Sequence, residues 1–381
     1  MKKIWKASII FLINIIIISY PFRITNGCGG DWTYPEDDFH YLFNQELIPK
    51  TGYESFLLYF PSRFYPYEGE TEFSDQVRNV KEWQSYFEGA IPEDKVKEIV
   101  YDYPVSTLQE ILNQIEAGKT DKRDEVFIYF TGRKDSHALK YLIFIREIQP
   151  IVSGLDHWEG CAHDISYAND IYGRGEGLHN EVKSKFLQLR VAYQLTRLAH
   201  YTGDYKKCIY YYDNLVEKHK SESFIRYWAL GHKAGSLKAL DQIPEAIYFY
   251  SLVFANSYDK REPAFRSAWF YGEDFERGME YCKNDRERVI MHFLNALEYS
   301  LPNLEPLKNI YEIDPSSKEL EVLVMREVKK AESYYTGSFI FEDASNTENS
   351  KLKDFMLLAS ESGNVRTPAL WYLLSGYIFF L

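Results

Sequence analysis

The chain of 381 residues has only four cysteines, Cys28, Cys161, Cys208 and Cys282. So few, one of them just behind an apolar leader, do not make a disulfide framework. Basic residues are also short: 44 Lys and Arg stand against 56 Asp and Glu, a net charge of −12. There is no basic arm and no aromatic–basic motif. This argues against nucleic acid, because affinity for phosphates rests on Lys and Arg. Catalytic signatures are missing too. No G-x-S-x-G elbow and no H-E-x-x-H helix occurs, and these mark nucleophilic and zinc-dependent hydrolysis. The longest apolar run is residues 7–20. It is short of the roughly 20 residues that span a bilayer.

That run reads as an export signal. Lys2, Lys3 and Lys6 precede it, Pro21 ends it, and Thr25-Asn26-Gly27 supplies small residues before a cut. Residues 1–27 are therefore expected to be removed, which leaves 40 basic residues against 56 acidic, a net of −16. Cys28 becomes the first mature residue. It is either the lipidated cysteine of a bacterial lipoprotein or an ordinary first residue. Gly27 suits the former, and Thr25 stands where an aliphatic residue is usual. A lipid on Cys28 would be the protein's single link to a membrane.

Aromatic residues make up 17% of the chain, far above what a disordered chain carries. Residues 28–75 are interrupted by Pro35, Pro49, Pro61 and Pro66 and read as an irregular, aromatic-rich N-terminal arm. A helical N-terminal region, 76–152, follows, with helices at 76–88, 92–101, 104–117 and 136–149. Pro92 and Pro104 serve as start signals. The span 125–131, EVFIYFT, has strand-like composition and fits the start of an aromatic-rich helix equally well. Residues 153–179 hold Gly154, Gly160, Gly173, Gly175 and Gly177 and read as a glycine-rich connector. Residues 180–381 form the repeat region.

Two stretches there share one spacing, 38 residues apart. Tyr205, Cys208, Ile209, Tyr212, Leu215 and Val216 form the first set. Ile243, Ala246, Ile247, Tyr250, Val253 and Phe254 form the second. Each draws one apolar stripe down a helix. Helical stretches at about 184–200 and 222–239 precede them, so each unit is a helix pair. Repeated pairs mean a solenoid. Leu195, Gly203, Tyr205, Cys208 and Tyr212 fall where the tetratricopeptide repeat puts a large apolar residue, a turn glycine, an aromatic, a small residue and an aromatic. The chain resembles a divergent member of that family. Ala246 and Tyr250 keep the pattern in the second unit, and Asp241 stands at the turn glycine's place. Phe275, Gly278, Met279 and Cys282 are a weaker third match. The resemblance implies an all-α superhelix of helix pairs with a concave binding face.

Farther on, 303–313 and 318–335 read as helices, the second with an apolar face of Leu320, Leu323, Val324, Val328 and Ala331. Residues 336–350 read as a polar loop. A last helix opens at Thr367-Pro368 and runs ALWYLLSGYIFFL. Apolar residues fill nearly every position, so it is expected to be buried on all sides and to lack a partner helix. A truncated longer repeat protein is the favoured reading, and a helix docked in a groove is the alternative.

Other constellations are weaker. His157, Cys161, His163 and Asp164 are metal-ligand types, but their spacing matches no common zinc pattern, and His179 could join only by folding. Gly173-Arg174-Gly175-Glu176-Gly177 lacks the strand and the Lys-Ser/Thr of a phosphate loop. Trp158, Trp228 and Trp269 are candidates for stacking on a ligand. The expectation is a non-enzymatic envelope protein without cofactor or metal. It would be exported to the periplasm or outer membrane of a Gram-negative bacterium and bind a partner protein or peptide. The alternative is glycan binding, as in nutrient-uptake lipoproteins of the starch-binding type, with hydrolase a distant third.

Overall fold

The computed structural model describes Tyr53, Phe56 and residues 75–153, 165–268, 272–297, 303–335 and 345–380, all within the unit Ile48–Leu381. Residues 1–27, Cys28, most of the expected N-terminal arm, His157, Trp158, Cys161, His163, Asp164 and Trp269 lie outside the described residues. Among those described there are seventeen helices and no strand, so the fold is an all-α helical solenoid.

The first five helices are α1 (Asp75–Tyr86), α2 (Glu93–Lys97, running on through a π turn at Glu98–Asp102), α3 (Val105–Glu116), α4 (Glu125–Arg133) and α5 (Ser136–Ser153). The ambiguous span at 125–131 is helical. Asp124 caps it by accepting from the Val126 and Phe127 amides, two donors that a helix start leaves without partners. Val126, Phe127 and Phe130 then point into one continuous core with Trp83, Phe87 and Ile111.

Then come α6 (Ile165–Glu181), α7 (Lys185–Tyr201), α8 (Tyr205–Tyr211, ending in a π turn at Tyr212–Val216), α9 (Ile225–Ala239) and α10 (Ile243–Asn256). Pairs α7/α8 and α9/α10 are the two units read from the sequence. Their junctions match in backbone as well as in spacing. Gly203 has φ +77° and Asp241 has φ +62°, so the aspartate takes up the left-handed conformation that the glycine adopts freely. The small residues Cys208 and Ala246 are both buried.

The structure overturns one expectation here. The expected glycine-rich connector is helix from Ile165 onward. Gly175 is buried there because α6 packs tightly on its neighbours. A Cβ on it would lie 2.6 Å from Leu195 and 2.8 Å from Phe144. Of Tyr210-Tyr211-Tyr212, two rings are buried and Tyr210 alone is exposed. The Tyr211 hydroxyl donates to Glu176 of α6 at 2.5 Å. Helix α8 is thus covered over a wider arc than one stripe.

The chain continues through α11 (Arg261–Ser267), α12 (Gly272–Met279), α13 (Asp285–Ala296), α14 (Glu305–Ile313), α15 (Lys318–Tyr335), α16 (Ser345–Ser362) and α17 (Pro368–Phe380). In the weak third match, Phe275 is buried. Gly278 is a contact glycine, since a Cβ there would meet the Pro244 carbonyl at 3.1 Å and Met291 at 3.2 Å. The apolar face of α15 is buried as expected, but so are Glu319, Arg326, Glu327, Lys330 and Glu332. Their charges are met inside: Arg326 donates to the Phe56 carbonyl at 2.6 Å and the Leu297 carbonyl at 2.9 Å, and Lys330 pairs with Glu327. Buried charges persist only with such partners.

The last helix is also corrected. It has a partner, because α16 packs along it and α15 lies beneath. It is buried on one side only. Trp371, Leu374 and Ile378 face inward, whereas Phe379 and Phe380 are 80% and 83% exposed. The segment read as polar loop is helical from Ser345 onward.

Candidate functional site

Helices α5, α7 and α9 stand side by side, and each turns a stripe that opens on a Tyr to one concave face. From α5 come Tyr141, Ile145 and Gln149. From α7 come Tyr193, Arg197 and Tyr201, and from α9 Tyr227, Gly231 and Gly235. Each set steps by four residues, which keeps one side of a helix. The π turn of α2 adds Tyr101, the end of α10 adds Tyr250 and Val253, and α11 adds Pro263 and Ser267. Together they enclose a groove of about 810 Å³, within the range of built ligand sites.

Helix α1 forms one edge through Asp75, Gln76, Asn79 and Trp83. It is pinned there by charge. Asp75 accepts from Lys260 at 2.8 Å, and Arg78 pairs with Asp259. Asp259 also accepts from the Trp228 indole at 2.6 Å. Glu82 accepts from the Ser223 hydroxyl at 2.8 Å and from Arg190 at 3.0 Å. Arg190 is 1% exposed, and its guanidinium lies 3.8 Å over the Phe186 ring. Burial lowers its pKa, and Glu82 acts against that.

The groove's charge is opposite in sign to the chain's. Arg146, Arg197 and Lys260 line it, and Asp75 is the one carboxylate among the lining residues. Burial pushes the Asp75 carboxyl up, but the charge and hydrogen bond of Lys260 more than offset this and hold it below its ordinary value. Arg146 donates to the Tyr103 and Ile99 carbonyls at 3.1 and 3.2 Å, and burial lowers its pKa. Arg197 is half-buried, and its one described contact is a ring, Tyr201, at 5.9 Å. Burial pushes the Tyr193 hydroxyl up to about 12. It pushes the His232 imidazole well below its ordinary value, helped by His200, Arg197 and Lys260. Gln194 is 6% exposed, its Nε2 donates weakly to the Tyr141 hydroxyl at 3.4 Å, and its Oε1 has no partner.

Of the seven residues singled out for the repeat, only Tyr250 reaches the groove. Leu195, Cys208, Tyr212 and Ala246 are buried, Tyr205 is half-buried and Gly203 makes an exposed turn. Burial raises the Cys208 thiol to about 12, far from a reactive thiolate. Trp228 does line the groove. The groove's polar residues Arg146, Gln194, Arg197 and Lys260 were not found from the sequence. The signal was a second stripe, Tyr193-Arg197-Tyr201, on the face of α7 away from its core.

Among the described residues, no group of three or more His, Cys, Asp or Glu could hold a metal ion. His179 sits half-buried in α6, and burial lowers its pKa. No described helix is long and apolar enough to cross a membrane. Comparison with protein-family models, with curated proteins and with solved structures gives no match.

Proposed function

We propose that this is a non-enzymatic, exported protein of the bacterial cell envelope, built on divergent tetratricopeptide-like helix pairs, which binds a partner protein or peptide in the concave groove. One observation carries the reading. Alternate helices each turn a four-residue-stepped stripe that opens on a Tyr to a single face, with Gln149, Arg197 and Tyr201 among its further members, and polar groups set among rings are what a recognition surface needs. Hydrolysis by a carboxylate pair finds no support there. Asp75 is the single carboxylate among the lining residues, and it is bound by Lys260.

The second reading, glycan, draws on the number of rings. Their arrangement favours it less. Tyr193 meets Trp228 at 62° and Tyr201 meets His232 at 63°, so these pairs offer no flat platform. The Trp228 indole nitrogen is already used by Asp259, and Lys260 lies 4.8 Å over its ring.

The test is to present the protein to peptide and oligosaccharide arrays beside a Tyr193→Ala variant. Peptide ligands that weaken with the variant support the reading. Binding confined to oligosaccharides would overturn it. Export is tested by intact mass of the protein from its native envelope: the expected chain begins at Cys28, with or without lipid, and one retaining residues 1–27 refutes the address.

A further inference from the structure

Two polar groups in the groove, Arg197 partly open to solvent and Gln194 buried, are left without full partners among the described residues. Arg197 forms no ion pair and no hydrogen bond with a described residue, although it stands half-buried among Tyr193, Tyr201 and His232. One turn away, Gln194 is nine-tenths buried, and its amide has one atom satisfied and one not. Turning the amide over exchanges the two atoms and leaves the other unpaired, because the Tyr141 hydroxyl can donate as well as accept. A buried polar atom without a partner costs free energy that a ligand can recover.

The two groups ask for different things. Arg197 asks for a negatively charged acceptor, best a planar carboxylate that its fork can hold. Gln194 asks for a group that can donate or accept as required, which a peptide bond does with its N–H and C=O. The surroundings agree in sign. Arg146 and Lys260 flank the site, against Asp75 alone, in a chain whose net charge is −12.

We infer that the groove takes an acidic peptide in extended form, with a main-chain amide on Gln194 and an Asp or Glu carboxylate on Arg197. This rests on the peptide-binding reading above and names its ligand class. Helices α5, α7 and α9 lie about 8–10 Å apart, so an extended segment crossing all three has about six residues. The bare backbone of α9 at Gly231, where a Cβ would meet nothing within 4 Å, leaves room for the segment over that helix.

The experiment uses the full-length protein and labelled peptides of about six residues in matched pairs. One member carries Asp or Glu, and the other carries Asn or Gln at the same positions. Affinity is read by fluorescence anisotropy. The acidic member should bind roughly tenfold more tightly at low salt, the scale of one charge-assisted hydrogen bond, and should lose that margin as salt rises. Arg197→Gln should remove the margin, weakening the acidic peptide far more than the neutral one, while Arg197→Lys should retain part of it. Gln194→Leu should weaken both members equally without lowering the melting temperature, which a purely structural glutamine would not allow. Equal affinity for the two members overturns the acidic preference while leaving peptide binding standing. Binding of acidic oligosaccharides with no binding of either peptide overturns both.

Discussion

Gly175 of α6 lies so close to Leu195 of α7 that a single added carbon would stand 2.6 Å from the leucine's Cδ2. Its neighbours along the same helix, Gly173 and Gly177, have nothing within 4 Å of that position. Three glycines in one helix therefore answer differently to the same change. Gly175→Val should destabilise by about 1–3 kcal/mol through overpacking. Gly173→Ala and Gly177→Ala should each stabilise by about 0.5–1 kcal/mol, because alanine suits a helix interior better. Denaturant melts of the three variants check this. A neutral Gly175→Val would mean that α6 does not sit on α7.

The paired turns make a second test. Gly203 and Asp241 share the left-handed conformation, which costs an ordinary L-residue about 1–2 kcal/mol. Gly203→Ala should lose stability on that scale. Asp241→Gly should gain about 0.5–1 kcal/mol, since aspartate tolerates the region better than most. Thermal melts of opposite sign are the expected outcome.

Acid should weaken the fold from just below neutrality. Burial first, then His200, Arg197 and Lys260, hold His232 well below its ordinary value. Burial lowers His179, His219 and His292 in the same direction. As pH falls below about 6.5, the unfolded chain binds protons that the native chain refuses. The stability these histidines confer is complete above that pH and is lost as pH drops from there toward their folded values. Melting temperatures measured across this range should fall, and His232→Gln should flatten part of the slope. A His232→Gln profile parallel to the wild type would show that His232 is charged in the fold.

The two sides of α17 should behave as different surfaces. Trp371 is 1% exposed, and Trp371→Ala should cost about 3–5 kcal/mol. Phe379 and Phe380 stand in solvent, and replacing both by Asn should change stability by no more than about 0.5 kcal/mol per site. The same pair should raise the monomeric fraction by light scattering if these rings drive association. Unchanged scattering would remove α17 as an association surface.

What could be read beforehand follows from what apolar periodicity reports. It finds the side of a helix that faces a core, and so it located α1, α3, α5, α14 and α15 closely. It missed α16 because only Leu352, Met356 and Ala359 of its central turns are buried apolar residues, a stripe too sparse to rise above SNTENSKLK. It missed α6 because glycine reads as a turn signal, whereas at Gly175 the missing side chain is what lets two helices meet. The groove escaped for a different reason. Its residues lie on the faces turned away from the core, where Tyr, Arg and Gln look like any solvated surface. The edge that α1 adds comes from far away in sequence: its contacts reach Arg190 across 108 positions, Ser223 across 141 and Asp259 across 181.

Those long-range ties change the mechanics of the whole stack. Units that touch only their neighbours can fray from either end without consulting the middle. Here Arg78 meets Asp259 across 181 positions and Lys260 meets Asp75 across 185, so the stack from α1 to α11 is buckled like a belt rather than hung like a chain. Loosening any link between the two ends of the buckle strains the clasp. The intervening helices should exchange their amide protons as one cooperative block, and the groove should be lost all at once rather than widened by degrees.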